Sequence, residues 1–272
     1  MNQITKSVAA AITEVRTKVP LIHNITNYVT VNDCANAVLA IGASPIMADD
    51  IAEAADITAI SSALVINIGT LNQRTITSMI ASGKKANEAG IPVVLDPVGA
   101  GASKLRNDTL KAILQQVKIA ILRGNISEIS FIAGLEVSTK GVDAADADVE
   151  NDAVQIAKSV AKNLSCIVAI TGAVDVISDG EKIVKIKNGH PMMSKVTGTG
   201  CMTSALVGSY AGALKDYFVA AVGGVASMGI AGDIAYEKAG NIGTGSFHIA
   251  IIDALSNINT QIVEERAKLY EE

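Results

Sequence analysis

The sequence predicts a single α/β domain in which a mostly parallel central sheet is covered by helices on both faces. Three observations carry this. Short β-branched runs are apolar throughout rather than alternating, as strands buried on both faces must be. Each run is followed by a stretch with helical periodicity, and strands separated by helices return in parallel through crossovers. At 272 residues and 49% hydrophobic composition, the chain has enough apolar material for one large core. The domain is expected to span residues 1–272 without a separate lid.

Taken in order, residues 2–18 place Ile4, Val8, Ala11, Ile12 and Val15 on one face, the pattern of an amphipathic helix that Pro20 ends. Residues 23–36 hold four asparagines in 13 positions. Short polar side chains in such a run serve as caps and Asx turns, or as the wall of a polar pocket. A helix over 34–41 and a short strand over 43–47 follow. From residue 56 onward, runs at 64–69, 91–96, 119–123 and 166–171 alternate with helices at about 73–89, 107–116 and 150–163. Residues 174–178 and 182–187 flank Asp179-Gly180, a turn signal that predicts a hairpin at the sheet's edge. Helices over 205–212, 218–238 and 247–265 complete the packing. The uncharged stretch 217–232 has 16 residues rich in Gly, Ala and Val; it is too short and too weakly apolar for a membrane span and reads as a buried helix.

In parallel sheets, ligands gather beyond the carboxyl ends of the strands. Here those ends read Gly69-Thr70, Asp96-Pro-Val-Gly-Ala-Gly101, Arg123-Gly-Asn125 and Thr171-Gly172. An Asp entering a glycine-containing loop can hold Mg²⁺ through water, and Arg123 and the Thr171 hydroxyl can reach phosphate oxygens. Taken singly, Asp96 also suits a turn, Arg123 a surface ion pair and Thr171 a cap. The four ends together point one way. Asn125 and Glu128, three residues apart, fit either a capping box or the orientation of a metal-bound water.

A further stretch, Val196-Thr-Gly198-Thr-Gly200-Cys201, opens an apolar helix with a glycine turn. The first amides of a helix lack internal carbonyl partners and sit at the positive end of its dipole, so they can converge on an anion such as a transferring phosphate. Cys201 would stand beside that anion, unless it is only a buried structural cysteine at a helix start.

Composition narrows the partners. Net charge is −5 with no basic run, and aromatic residues are 3%, which argues against nucleic acid and against an acidic membrane surface. Cys34, Cys166 and Cys201 have no metal-like or paired spacing; without a secretory signal they read as reduced thiols in a cytoplasmic protein. A cysteine-nucleophile hydrolase would need one of His23, His190 and His248 near Cys201. A dinucleotide-binding oxidoreductase would need Gly-x-Gly-x-x-Gly after an early strand, and the Gly198 motif sits late.

Throughout its length the chain resembles the hydroxyethylthiazole kinases of the ribokinase-like superfamily. The matching pieces are His23-Asn-Ile-Thr-Asn27-Tyr-Val29, Ser44-Pro-Ile-Met47, Asp96 to Gly101, Arg123-Gly-Asn-Ile-Ser-Glu128, Thr171-Gly172 and Thr197-Gly-Thr-Gly-Cys201. The resemblance implies transfer of the ATP γ-phosphoryl group to the primary hydroxyl of 4-methyl-5-(2-hydroxyethyl)thiazole, in thiamine biosynthesis and salvage. It implies that Asn27, Val29 and Met47 line the thiazole pocket, that Gly198 contacts the hydroxyl end of the substrate, that Arg123 and Thr171 bind ATP, and that Asp96 and Glu128 lie near Mg²⁺. It also implies a homotrimer with the site at a subunit boundary, so that Asn27 and Met47 face a neighbour's Gly198 and Cys201. Cys201 departs from the wider superfamily, which carries an Asp base there, but agrees with this family. A kinase of the same superfamily acting on another small alcohol is the nearest alternative.

Overall fold

Helical crossovers join the first six strands in parallel; tight turns then set the seventh antiparallel to the sixth and the eighth antiparallel to the seventh, and the ninth, reached through helices, pairs antiparallel with the eighth. The computed structural model describes residues 2–134 and 146–272. The strands are β1 (Leu21–Ile25), β2 (Ser44–Ile46), β3 (Ala63–Asn67), β4 (Val93–Asp96), β5 (Ile121–Asn125), β6 (Ile167–Thr171), β7 (Asp175–Ser178), β8 (Ile183–Ile186) and β9 (Leu269–Glu271). They form one sheet in the order β2-β1-β3-β4-β5-β6-β7-β8-β9. Pairing is parallel from β2 to β6 and antiparallel from β6 to β9.

The central strands feed both cores. In β3, Ala63 and Val65 join one apolar cluster while Leu64 and Ile66 join the other, which is why the run reads as unbroken hydrophobic sequence. One face is covered by α1 (Gln3–Lys18), α2 (Val31–Ile41), α8 (Thr199–Ala213), α9 (Tyr217–Ala239), α10 (Thr244–Asn257) and α11 (Thr260–Arg266). The other is covered by α3 (Ala54–Ala59), α4 (Gln73–Ala89), α5 (Lys104–Gln116), α6 (Ile126–Ile132) and α7 (Asp146–Leu164). α8 and α9 pack most closely where Gly224 lies against the backbone of Val207; a Cβ at 224 would sit 2.6 Å from Val207 Cα.

Four expectations need correction. The asparagine-rich run begins with a strand, β1, whose polar side chains are buried: His23 Nε2 lies 2.7 Å from the Ala48 carbonyl and Nδ1 lies 2.8 Å from Thr58 Oγ1, and Asn24 Nδ2 donates to the Ile22 carbonyl at 3.0 Å. The β7–β8 hairpin is not the edge, because the C-terminal strand β9 pairs with β8. The helix predicted over 247–265 is two helices, broken at Ile258, where ψ is 130°, and restarted by Asn259, whose side chain accepts from the Ile262 amide. Finally, α9 has 23 residues and is long and apolar enough to cross a membrane, yet 78% of its apolar window is buried inside the protein. Its glycines and alanines serve packing against α8 and α10.

Candidate active site

The carboxyl ends of β1, β3, β4, β5 and β6 converge with the N-terminus of α8 at one pole of the sheet. Gly198 caps α8 with φ 88°, a left-handed conformation that favours glycine. A Cβ there would also meet Thr30 Cγ2 at 2.7 Å. The first intrahelical bond runs from the Met202 amide to the Gly198 carbonyl, and no side chain caps the turn. The amides of residues 199–201 are therefore left facing the pole, where an anion would complete them. Gly200 is helical rather than left-handed, and its reason is a close approach: a Cβ would lie 2.9 Å from Arg123 Nη1.

Arg123, on β5, points along the sheet's end with its side chain 11% exposed. Its Nη2 donates to Thr171 Oγ1, and Nη1 lies 3.6 Å from Asp96 Oδ2. Asp96 is fully buried at the end of β4. Asp96 Oδ2 accepts from Asn67 Nδ2 at 2.9 Å and from Ser204 Oγ at 2.7 Å, whereas Oδ1 is buried with no partner among the described residues. Burial pushes the Asp96 carboxyl up to about 6, with the Arg123 charge opposing that rise. Glu128 closes a capping box with Asn125 at the start of α6, its Oε2 accepting from the Asn125 amide. Its Oε1 accepts from the Gly99 amide at 2.8 Å, so the same side chain also holds the loop after β4. Arg106 straps that loop to the one after β3 through the carbonyls of Ile68, Val98 and Gly69, at 2.6–2.7 Å.

Cys201 is half-buried, and its Sγ accepts from two amides, Asn27 Nδ2 at 3.1 Å and Asn67 Nδ2 at 3.3 Å. Asn27 thus faces Cys201 of its own chain, where the resemblance implied that of a neighbour. None of the three histidines partners the thiol: His23 is bonded to Thr58 and Ala48, His190 stacks on Tyr236 and His248 lies 3.2 Å from Asp33. That removes the general base a cysteine hydrolase requires. Beside Arg123 and Thr171 opens a cavity of about 470 Å³, with Asp175, His190, Val225 and Met228 on its walls. Asp175 is buried, accepts from the Gly172 amide at 2.9 Å, and has its carboxyl pushed up to about 7 by that burial.

These features invite comparison with known proteins. The model of the hydroxyethylthiazole kinase family matches residues 12–261. The chain belongs to that family. A hydroxyethylthiazole kinase of Ruminiclostridium cellulolyticum is 68% identical over 272 residues, covering all of both chains. The solved hydroxyethylthiazole kinase of Pyrococcus horikoshii superposes with a TM-score of 0.89 at 40% identity, over 97% of this chain and 98% of its own. A Bacillus subtilis pyridoxal kinase, solved as an ADP complex, superposes with a TM-score of 0.57 at 17% identity, over 75% of this chain and 88% of its own; it shows the fold alone, which is ribokinase-like.

Of the residues predicted for a kinase of this family, Asp96, Arg123, Thr171, Cys201, Asn27 and Gly198 share the pole, and Glu128, in the first turn of α6, braces the loop that follows Asp96. Met47 follows β2, half-buried against the α8 face of the core. Val29 is 56% exposed in the turn before α2. Asn67, Ser204, Arg106 and Asp175 were not anticipated. The only sequence signal for Asn67 was its place at the end of an apolar run, two residues before Gly69.

Proposed function

We propose that this chain is an ATP-dependent kinase that phosphorylates the primary hydroxyl of 4-methyl-5-(2-hydroxyethyl)thiazole. The observation that carries the reading is the meeting of Asp96, Arg123, Thr171 and Cys201 under the open amides of α8. Phosphoryl transfer passes through a loose transition state, so positioning and charge neutralisation supply most of the catalysis. Arg123 and Thr171 bind the nucleotide phosphates at the wall of the 470 Å³ cavity, whose apolar lining of Met193, Val225 and Met228 suits a purine. The α8 amides take the charge that develops on the transferred group. Asn27 and Cys201 hold the alcohol, with Gly198, Met47 and Val29 closing the thiazole pocket.

A triphosphate substrate brings a divalent cation with it, and the donor set suits Mg²⁺, which keeps several waters and needs only one or two carboxylates. Asp96 Oδ1, buried with no partner among the described residues, and Glu128 would hold it. The bound cation would neutralise phosphate charge. The enzyme acts in the cytoplasm as one domain over residues 1–272, in a homotrimer with the thiazole pocket at a subunit boundary.

The test is ADP release together with detection of the phosphorylated product, run with the thiazole alcohol, a hydroxymethylpyrimidine, pyridoxal and several sugars. Product from the thiazole alcohol alone supports the assignment. Product only from another alcohol would reassign the substrate, and no product from any would end the kinase reading.

A further inference from the structure

Asn67 stands at the end of β3, 1% exposed, in register with Asp96 on β4 and beside the Asn27 loop that follows β1. A carboxamide offers two N–H donors and an oxygen with two lone pairs. All four are used. Nδ2 donates to Asp96 Oδ2 at 2.9 Å and to Cys201 Sγ at 3.3 Å. Oδ1 accepts from Asn27 Nδ2 at 3.2 Å and from the Gly69 amide at 2.9 Å.

The orientation of this amide is not a free choice. A backbone N–H can only donate, so Gly69 identifies the oxygen side of Asn67. Asn27 is fixed in the same way, because its Oδ1 accepts from the Thr30 amide at 3.2 Å, which turns its Nδ2 toward Asn67 and Cys201. Gly69 permits the arrangement: a Cβ there would lie 2.8 Å from Asn67 Oδ1 and 3.0 Å from Asn27 Nδ2. One saturated side chain therefore ties together three loops.

We infer that Asn67 is a positioning residue that fixes the distance between the alcohol-holding pair, Asn27 and Cys201, and the phosphate-side carboxylate, Asp96. The inference rests on the proposed phosphotransfer, since that reaction requires an acceptor oxygen and a phosphoryl group held at one separation. Asn67 itself is bonded on all sides and is not a catalytic residue. Its role is expressed through Asp96, Cys201 and Asn27, and its loss lets the alcohol drift from the line of transfer while water still reaches the phosphoryl group.

Two variants test this. In Asn67→Ala, ADP released per phosphorylated alcohol formed is expected to rise at least fivefold, with KM for ATP within twofold of wild type. An equal fall of both products, as loss of folded protein would give, or an unchanged ratio overturns the inference. Asn67→Asp keeps the shape and both acceptor bonds but turns a carboxylate oxygen toward the sulfur. Alkylation of Cys201 by iodoacetamide should then slow at least tenfold. Cys34 and Cys166 stay silent, being buried with thiols pushed up to about 12. A wild-type alkylation rate in a folded Asn67→Asp protein overturns the inference whether or not the alcohol is a substrate. Wild-type protein that makes no phosphorylated alcohol counts against the proposed function instead.

Discussion

Gly200→Ala separates stability from activity in opposite directions. Glycine inside a helix is worse than alanine by roughly 0.5–1 kcal/mol, so the substitution favours α8 by itself. The new methyl would stand 2.9 Å from Arg123 Nη1 and 3.3 Å from Nη2, nearer than side-chain carbons come. Arg123 is held by Thr171 and Asp96 with little exposed surface, so its guanidinium must leave that position rather than swing into open solvent. A hydrogen bond to a charged group contributes about 1.5–3 kcal/mol, and at about 1.4 kcal/mol per decade its loss lowers kcat/KM for ATP roughly 10- to 150-fold. The melting temperature is expected to stay within about 4 °C of wild type, since about 1 kcal/mol moves a chain of this size by only a few degrees. Steady-state kinetics at saturating alcohol with a parallel thermal melt reads both quantities. Wild-type kcat/KM for ATP in Gly200→Ala would refute the assignment of Arg123 to the nucleotide.

Asp96 makes stability and activity run against each other with pH. Its carboxyl titrates near 6 in the folded protein, above about 3.9 in the unfolded chain, so its contribution to stability is complete below about pH 4 and is lost as pH rises through about 6, while activity, which needs the carboxylate, rises over the same window. Asp96→Asn should flatten this part of the stability curve, measured by urea melts from pH 4 to 7, and lower kcat at least roughly 100-fold. Cys201→Ala removes a hydrogen-bond acceptor but no general base, so kcat is expected to fall about tenfold and remain measurable; a loss beyond the roughly 10²-fold expected for a proton-transfer residue would make the thiol a base. Cys201→Asp, which supplies a true base, tests the same point from the other side through its pH–rate profile. Gly224→Ala forces a methyl onto the Val207 backbone 2.6 Å away and should cost about 1–3 kcal/mol of stability in a denaturant melt, with little change in KM for ATP.

The parallel half of the fold was legible because strands buried on both faces must be apolar along their length; β3, β4 and β6 follow that rule up to their last residue, and β5 follows it at Ile121 and Leu122. The site was legible for a related reason: a polar residue has no place inside such a run, so Asp96 and Thr171 stand out at its end. β1 escaped because its His23 and Asn24 are polar yet buried: His23 is satisfied by Thr58 and Ala48, which local sequence does not reveal, and Asn24 donates to the Ile22 carbonyl of its own strand. β9 escaped because three residues, Leu-Tyr-Glu, carry no period, and it is a strand only through its pairing with β8.

By itself the sequence determined the alternation of strands and helices, the glycine turn that opens α8 and the set of side chains at the strand ends, because local sterics and the period of burial are properties of neighbouring residues. Tertiary structure decided which of those ends meet. Asn27 lies 174 positions from the sulfur it touches and Asn67 lies 134, and strand order, not spacing along the chain, brings their amides together. The space left at Gly200 is of the same kind: a hydrogen in place of a methyl acquires meaning only when the guanidinium of β5 arrives beside it.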